Sequence, residues 1–391
     1  MKSLKLSGFK CFKKAEFEFK DLEIIIGANG SGKSSLFDFL RFLRGACEYG
    51  EIPPEILKGQ VGQNIFYASE SNNRFRWKLY FDYGKLFEPL QNTFLYEGEL
   101  MGPVGLGKII SERLSVTEYV NNELRTFNEY LRFEKDSIEI TDLGKKIEWS
   151  ANGKKGHLFL GTITDPSYVM LYLARNYIRN WRFYSSFNIN NDKIRRPSLI
   201  SEKPQLDEDC GNLSSVLFYL MTEHPEIYKR MQDCLKSAIP GFKRLSVKAR
   251  GAPGEVLAFW EENNLDNKLT VADLSDGILR FLCWAVLCVH PKPPTLICID
   301  EPDQGVHPRT LPIIASLLKE ASSRTQVIAA THASYFLTQF DIENIAVMKK
   351  EGGECKYYKP ENNKALMANL EDFGREEIEL MHRNDELEAL L

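Results

Sequence analysis

Little in this chain marks a stapled, zinc-built or membrane-spanning protein. Its eight cysteines, at 11, 47, 210, 234, 283, 288, 298 and 355, lie in apolar contexts and never form a Cys-x-x-Cys. That is the pattern of reduced core thiols rather than of a disulfide framework. Histidine is scarce, six in all with no pair at metal-ligand spacing, so a bound metal is expected to be held by oxygen. No uncharged apolar run reaches the roughly 18 residues a membrane span needs. Met1-Lys-Ser-Leu-Lys5 passes straight into an amphipathic pattern without a signal-peptide core, so the expectation is a cytoplasmic protein with no membrane contact. Net charge is small: 50 Lys and Arg against 54 Asp and Glu give −4, and only a local patch could speak for nucleic acid. No internal repeat, low-complexity tract or long heptad array between residues 35 and 270 is present, which excludes an extended coiled-coil arm.

What is present is an ordinary globular composition. The 391 residues, 43% hydrophobic, 27% charged and 12% aromatic, suffice for two or three cores or one large composite domain. Leu4, Leu6, Phe9, Phe17 and Phe19 alternate with polar residues ahead of the apolar run 22–26, predicting two or three strands, the last buried. A glycine-rich loop follows, then Leu36, Phe39, Leu40 and Leu43 at helical spacing. From about 50 to 165, short alternating segments such as 75–81, 131–133 and 138–140 predict an inserted antiparallel layer. Residues 166–240 read as helical, on Tyr168, Leu171 and Tyr172 and later Leu213, Val216, Leu217 and Leu220. Strands at 245–247 and 257–260 precede helix 275–289, strand 295–299, helix 311–321, strand 327–330 and helix 333–339. That alternation is the order of a parallel α/β sheet. An acidic helical tail is expected after Asn362. The expected organisation is one composite α/β head made of segments 1–50, 51–165, 166–260 and 261–391.

Gly27-Ala-Asn29-Gly30-Ser31-Gly32-Lys33-Ser34-Ser35 contains G-x-x-x-x-G-K-[ST] between a strand and a helix, the setting of a phosphate loop. Gly27, Asn29, Gly30, Ser31, Gly32 and Ser35 would form the cradle, Lys33 would reach the β and γ phosphates of ATP, and Ser34 would offer a hydroxyl to Mg²⁺. The apolar run 295–299 ends in Asp300-Glu301, and acids at a strand's carboxyl end face the ligand crevice of an α/β sheet. Asp300 would serve the magnesium, and Glu301 would polarise a water in line with the γ-phosphate; a solvated acidic turn is the plainer alternative. Thr331-His332 ends the next strand, placing an imidazole at the same crevice; a plain surface or core histidine is its alternative. Leu274-Ser275-Asp276-Gly277-Ile-Leu-Arg280 opens a helix, with Ser275 as its N-cap and Asp276 in the first turn; capping alone would explain both.

Taken in this order, the phosphate loop, LSDGxxR, apolar-strand-DE and TH motifs resemble the ABC-type ATPase heads of the SMC, RecF and OLD-like group. Gly8-Phe9-Lys10-Cys11-Phe12 is similar to that group's GFKxF start. Glu301-Pro-Asp303-Gln-Gly305-Val-His307-Pro308 resembles its EPE-x-G-hydrophobic-HP stretch, and Asp209-Cys-Gly211-Asn212-Leu213 its DGxNL. The likeness is weakest over 50–200. It implies a head that forms a homodimer on ATP, each nucleotide lying between Lys33 and Asp300 of one copy and Ser275, Asp276 and Gly277 of the other, with Asp303 and His307 in the loop crossing the interface. For His307, a turn residue before Pro308 is an equal alternative. Three features depart from the pattern: Asp276 where transporters carry a second glycine, Ala333 after His332 where serine is commoner, and a magnesium-binding glutamine that neither Gln60 nor Gln63 identifies.

Arg175, Arg179, Arg182, Arg195 and Arg196 interleave with Tyr177, Trp181, Phe183, Tyr184 and Phe187. This run is either a DNA-contacting platform of guanidiniums and stacking rings or a solvated face over core aromatics. Two functions follow. One is a slow, partner-stimulated RecF/OLD-like ATPase of DNA repair or antiviral defence. The other is a nucleotide-gated scaffold for a separate effector nuclease, since no TOPRIM or HNH signature follows His332. A transporter ATPase suits the 50–270 region and the GFKCF start least.

Overall fold

The computed structural model describes residues 1–49, 65–67, 73–82, 93–102, 107–120, 123–134, 137–142, 145–150, 157–185 and 192–363. Gln60, Gln63, Phe187 and the expected acidic helix beyond residue 363 lie outside them. Strands β1 (Ser3–Phe9) and β2 (Phe12–Glu18) form a hairpin whose alternation buries Leu4, Leu6, Phe12 and Phe17. β3 (Leu22–Ile26) is buried at every position and leads through the glycine-rich loop into α1 (Lys33–Tyr49). Then come β4 (Arg74–Asp82), β5 (Thr93–Met101), β6 (Lys108–Val120), β7 (Glu123–Glu134), β8 (Ser137–Asp142) and β9 (Lys145–Ser150). These six extend the first hairpin into one antiparallel sheet of eight strands, in the order β2-β1-β4-β5-β6-β7-β8-β9.

The single-turn α2 (Phe159–Thr162) and α3 (Val169–Arg179) precede β10 (Trp181–Ser185) and β11 (Ser198–Leu199), so the expected helical run 166–240 is broken by strands. Its second part is α4 (Leu213–Glu223) and α5 (Pro225–Ala238). β12 (Phe242–Ala249), β13 (Glu255–Glu262) and β14 (Leu269–Thr270) join β11 in a small sheet. Last come α6 (Asp276–Val289), β15 (Leu296–Asp300), α7 (Leu311–Ser322), β16 (Gln326–Ala330), α8 (Ser334–Leu337), β17 (Ile345–Glu351) and β18 (Glu354–Tyr358). The last predicted helix, 333–339, is a single turn.

The central sheet runs β10-β15-β16-β3-β17-β18, parallel except for β18. Its central strands β3, β15 and β16 are mainly apolar because both faces are covered. Ile24 and Ile26 join Ile297, Ile299, Val327 and Ala329 in a core shared with α4 to α7, whereas Ile25, Cys298, Ile328 and Ala330 face α1, α3 and the antiparallel sheet. Burying side chains on alternate faces of one strand is the two-residue period of a pleated sheet. Adjacent strands β15, β16 and β3 therefore end side by side, bringing Asp300, Thr331-His332 and Gly27 to one edge. Among the described residues no helix is long and apolar enough to cross a membrane.

Candidate nucleotide-binding site

The loop after β3 is shaped by glycines that nothing else could replace. Gly27 has φ +149°, and a methyl there would come within 2.0 Å of Met348 O; Gly32 has φ +106°, and its methyl would strike Cys11 Sγ at 2.9 Å. Only glycine accepts both the angle and the space. Ser31 N donates to Ala28 O at 3.1 Å and Leu36 N to Gly32 O at 3.0 Å, turning the chain into α1. Lys33 Nζ donates to Gly27 O at 2.6 Å and Ala28 O at 3.2 Å and lies 3.5 Å from Ser31 Oγ. Gly27, Ser31, Gly32 and Lys33 are buried, Ser35 is half-buried, and Asn29, Gly30 and Ser34 are exposed. The first-turn N–H groups of the 17-residue α1 add a positive helix end, the ingredients of an anion cradle.

Opposite the cradle, β15 ends at Asp300. Glu301 follows with φ +54°, a left-handed backbone that costs a non-glycine residue on the order of 1–3 kcal/mol and persists only when neighbours enforce it. Here the enforcement is Glu301 N to Ala330 O at 2.8 Å, with Gln304 N to Glu301 O at 3.1 Å closing the turn. Burial raises the Asp300 carboxyl above the ordinary carboxylate range against the pull of Arg41, Lys33 and His332. Burial also raises that of Glu301, helped by Asp303 and Asp300 and opposed by a hydrogen bond from the His332 backbone and by Lys33. These mutual influences put Lys33, Asp300, Glu301, Asp303 and His332 in one electrostatic neighbourhood. His332 Nε2 stands 3.5 Å from Glu301 Oε1. A carboxylate with a raised pKa is better poised to accept a proton from water. The oxygen donors Ser34 and Asp300, with the cradle beside them, suit a hard cation such as Mg²⁺.

The loop after Glu301 is tied inward. Thr331 Oγ1 donates to Asp303 Oδ1 at 2.5 Å and accepts from Ala333 N at 3.0 Å. His307 is exposed and caps the turn Pro308–Thr310, its Nδ1 accepting from Arg309 N at 3.2 Å; the turn alternative describes its contacts within this chain.

Ser275 caps α6, its Oγ accepting from Ile278 N at 3.4 Å, and Ser275 and Asp276 are exposed with Gly277 half-buried beside them. One guanidinium holds this tip. Arg195 Nη1 donates to Ala272 O and Leu274 O, both at 2.8 Å, and Nη2 to Asp276 Oδ1 at 2.6 Å. Sequence reading had grouped Arg195 with the arginine–aromatic run, and no local signal could have tied it to a motif 81 positions away. Arg280 Nη1 reaches Gln304 O at 3.3 Å, joining the same helix end to the loop after Glu301.

Among the described residues the arginine–aromatic run does not form one exposed platform. Arg175 is 6% exposed and donates Nε to Gly161 O at 3.0 Å. It sits on the buried stripe of α3 with Leu171, Ala174 and Ile178, so it is corrected from a candidate nucleic-acid contact to an interior residue. Arg179 is exposed at the helix end, whereas Arg182 lies half-buried on β10, donating to Arg179 O at 3.3 Å and Trp181 O at 3.0 Å. Tyr177, Trp181, Phe183 and Tyr184 are all buried, and the Phe183 ring meets Arg41 and Arg44 of α1 at 5.0 and 5.5 Å. A chain switching from helix to strand at Asn180 cannot keep these arginines on one face.

The family described as "AAA ATPase domain" matches residues 1–151, and the family described as "AAA domain, putative AbiEii toxin, Type IV TA system" matches residues 133–338. Among solved structures, the Smc head bound to the C-winged helix domain of ScpA is similar at TM-score 0.57 and 15% identity, over 91% of this chain and 97% of that one. The Smc head domain with an extended coiled coil bound to the C-terminal domain of ScpA derived from Pyrococcus furiosus is similar at TM-score 0.55 and 13% identity, over 95% of this chain and 99% of that one. No curated protein matches. Similarity at this identity is one of fold: a mixed α/β, ABC-type P-loop head, without a long coiled coil among the described residues.

Proposed function

This chain belongs to the AAA-domain family matched over residues 133–338, and from that premise we propose that it is a RecF/OLD-like ATPase head that pairs with a second copy on ATP and separates on hydrolysis. The observation that carries the reading is the split between two parts of the site. Cradle, acids and imidazole meet at three neighbouring strand ends, while the serine-capped tip of α6 is exposed and held by Arg195.

In this reading the loop from Gly27 to Ser35 grips the phosphates of ATP, and Lys33 leaves its loop carbonyls for the β and γ oxygens. Ser34 and Asp300 would hold Mg²⁺, which supplies charge neutralisation on the phosphates when bound. Glu301 accepts the proton of the attacking water, and His332 orients that carboxylate and hydrogen-bonds the γ-phosphate. A second copy brings Ser275, Asp276 and Gly277 to the γ-phosphate through a two-fold contact, with Asp303 and His307 at the seam. Arg195 acts on the reaction by setting the angle of that tip. Turnover is slow until a partner completes the arrangement. Because Tyr177, Trp181, Phe183 and Tyr184 are core residues, the reading favours an effector protein, such as a separate nuclease of a repair or defence system, over direct stacking on DNA.

The test is Glu301→Gln, followed by solution mass with and without Mg-ATP and by phosphate release. The variant is expected to form a lasting ATP-dependent dimer with hydrolysis reduced by about 10²–10⁴-fold, the usual contribution of a general base. A variant that hydrolyses like wild type, or stays monomeric with ATP bound, overturns the assignment. DNA binding measured across a salt series completes the test, since phosphate tracking by Arg179 and Arg182 must weaken as salt rises.

A further inference from the structure

Two thiols are packed against the phosphate loop. Cys11 lies in the turn between β1 and β2 and Cys355 on β18; Cys355 N donates to Cys11 O at 2.9 Å. Their sulfurs meet over Gly32, where a methyl would come 2.9 Å from Cys11 Sγ and 3.1 Å from Cys355 Sγ. The Cys355 thiol also lies 3.6 Å from Gly30 O as a donor. Each sulfur thus touches a glycine of the cradle. Cys355 is 1% exposed, whereas Cys11 is partly open to solvent. This is the division between an attacking thiol that a small oxidant can reach and a resolving thiol shielded behind it.

Electrostatics point the same way. Hydrogen bonding from the Cys355 thiol lowers the Cys11 pKa against burial, with help from Ser35, its own backbone and Lys10. The partner interaction and burial raise that of Cys355. Elsewhere burial alone dominates: Cys47, Cys288 and Cys298 are all pushed up by it. Cys210 and Cys283 also touch each other, but both are sealed in the other core.

We propose that Cys11 and Cys355 are a peroxide-reactive dithiol, and that joining them as a disulfide disables the phosphate loop. The consequence for nucleotide rests on the ATPase reading above; the thiol chemistry does not. The Cys11 thiolate attacks one peroxide oxygen, the O–O bond breaks, and a sulfenic acid and one water result. Cys355 then attacks the sulfenic sulfur, the S–O bond breaks and a second water leaves. Two thiols and one hydrogen peroxide become one disulfide and two waters. The new bond is about 2.05 Å long, so the sulfurs must leave their contact distance and shift beneath Gly32. Cys355 also loses the proton it offers to Gly30 O.

The full-length protein is treated with hydrogen peroxide, alkylated and peptide-mapped, and its affinity for a fluorescent ATP analogue is measured before oxidation, after it, and after reduction with dithiothreitol. The expected result is a linked Cys11–Cys355 peptide, affinity weakened by at least about tenfold, and full recovery on reduction. Cys11→Ser is expected to bind like reduced wild type and to form no linked peptide with peroxide, Cys355→Ser to stop at a Cys11 sulfenic acid that a dimedone probe captures, again with no linked peptide, while Cys210→Ser still forms the Cys11–Cys355 link. Absence of the linked peptide, or a linked protein that binds as before, overturns the proposal. Should reduced wild type fail to bind nucleotide at all, the ATPase reading falls, and the linked peptide still decides the dithiol.

Discussion

The two parts of the proposed site are built in opposite ways. The cradle side is over-determined: Gly27 fits against Met348 O with no room for a methyl, Glu301 is locked in a left-handed turn by Ala330 O, and Asp303 is anchored by Thr331. The α6 tip shows the reverse, an exposed Ser275 and Asp276 steadied by Arg195. A buried, hydrogen-bonded arrangement can stand preorganised within one chain and act without reorganising. An exposed helix end with spare N–H groups is a donor awaiting an acceptor. On the proposed reading, chemistry is concentrated on one side, and control over when it happens on the other.

The sharpest way to break this contrast is to disable each side separately and then mix the variants. Lys33→Ala is expected to abolish nucleotide binding, and Ser275→Arg to leave binding intact while removing hydrolysis. Neither variant alone should turn over. If the tip acts across a two-fold contact, an equimolar mixture should recover up to about a quarter of wild-type phosphate release, because half the dimers are mixed and each of those has one intact site. A mixture as inactive as its components means that tip and cradle work within one chain, and the contrast collapses.

How much of this was legible in the sequence follows the same division. The gathering of Gly27 to Ser34, Asp300-Glu301 and His332 at neighbouring strand ends could be read directly, because the apolar runs ahead of them marked those strands. The parallel order of the last hundred or so residues was legible for the same reason. Four features were not. β10 begins two residues after α3 ends, and its run Trp181–Ser185 is only five residues long, too short for period alone to separate helix from strand. The eight-stranded sheet absorbed the N-terminal hairpin, a long-range pairing with no local trace. Arg175 and Arg195 look alike in the sequence, yet one is interior and the other clamps a loop, because helical phase and tertiary contact assign them. Cys11 and Cys355 were separately unremarkable until β18 was placed beside the hairpin.

Arg195→Ala sharpens the contrast at the tip, with a smaller effect than the mixing experiment. Losing three charge-assisted bonds at a site still capped by Ser275 is expected to lower kcat about tenfold and leave KM for ATP nearly unchanged. Arg195→Lys should recover part of the rate, since a single ammonium can hold one acceptor but not the fork. The ATP-dependent dimer fraction should fall with kcat. An effect on KM alone would place Arg195 on the cradle side instead.

The smallest effect concerns a region remote from both sides. Glu112, on β6, is 1% exposed and accepts from Phe159 N at 2.6 Å, Leu160 N at 2.9 Å and the Tyr96 hydroxyl at 2.9 Å. Burial outweighs these three donors and lifts its carboxyl from the ordinary 4.5 to about 7. Between those values the folded chain holds a proton that the unfolded chain has released, so stability must fall as pH rises through this window and level off above it. The full swing is at most about 3 kcal/mol. Glu112→Gln cannot ionise. Its amide gives up one acceptor oxygen, so it should be less stable than wild type near pH 5 by about 1 kcal/mol and should gain on wild type steadily towards pH 8. Denaturant melts across that range read the crossing directly, and a constant offset at every pH would show that the carboxylate titrates normally. ATP turnover per folded molecule should be the same in both proteins, since the proposed reading assigns the chemistry to Glu301 and leaves this carboxylate of the antiparallel sheet outside it.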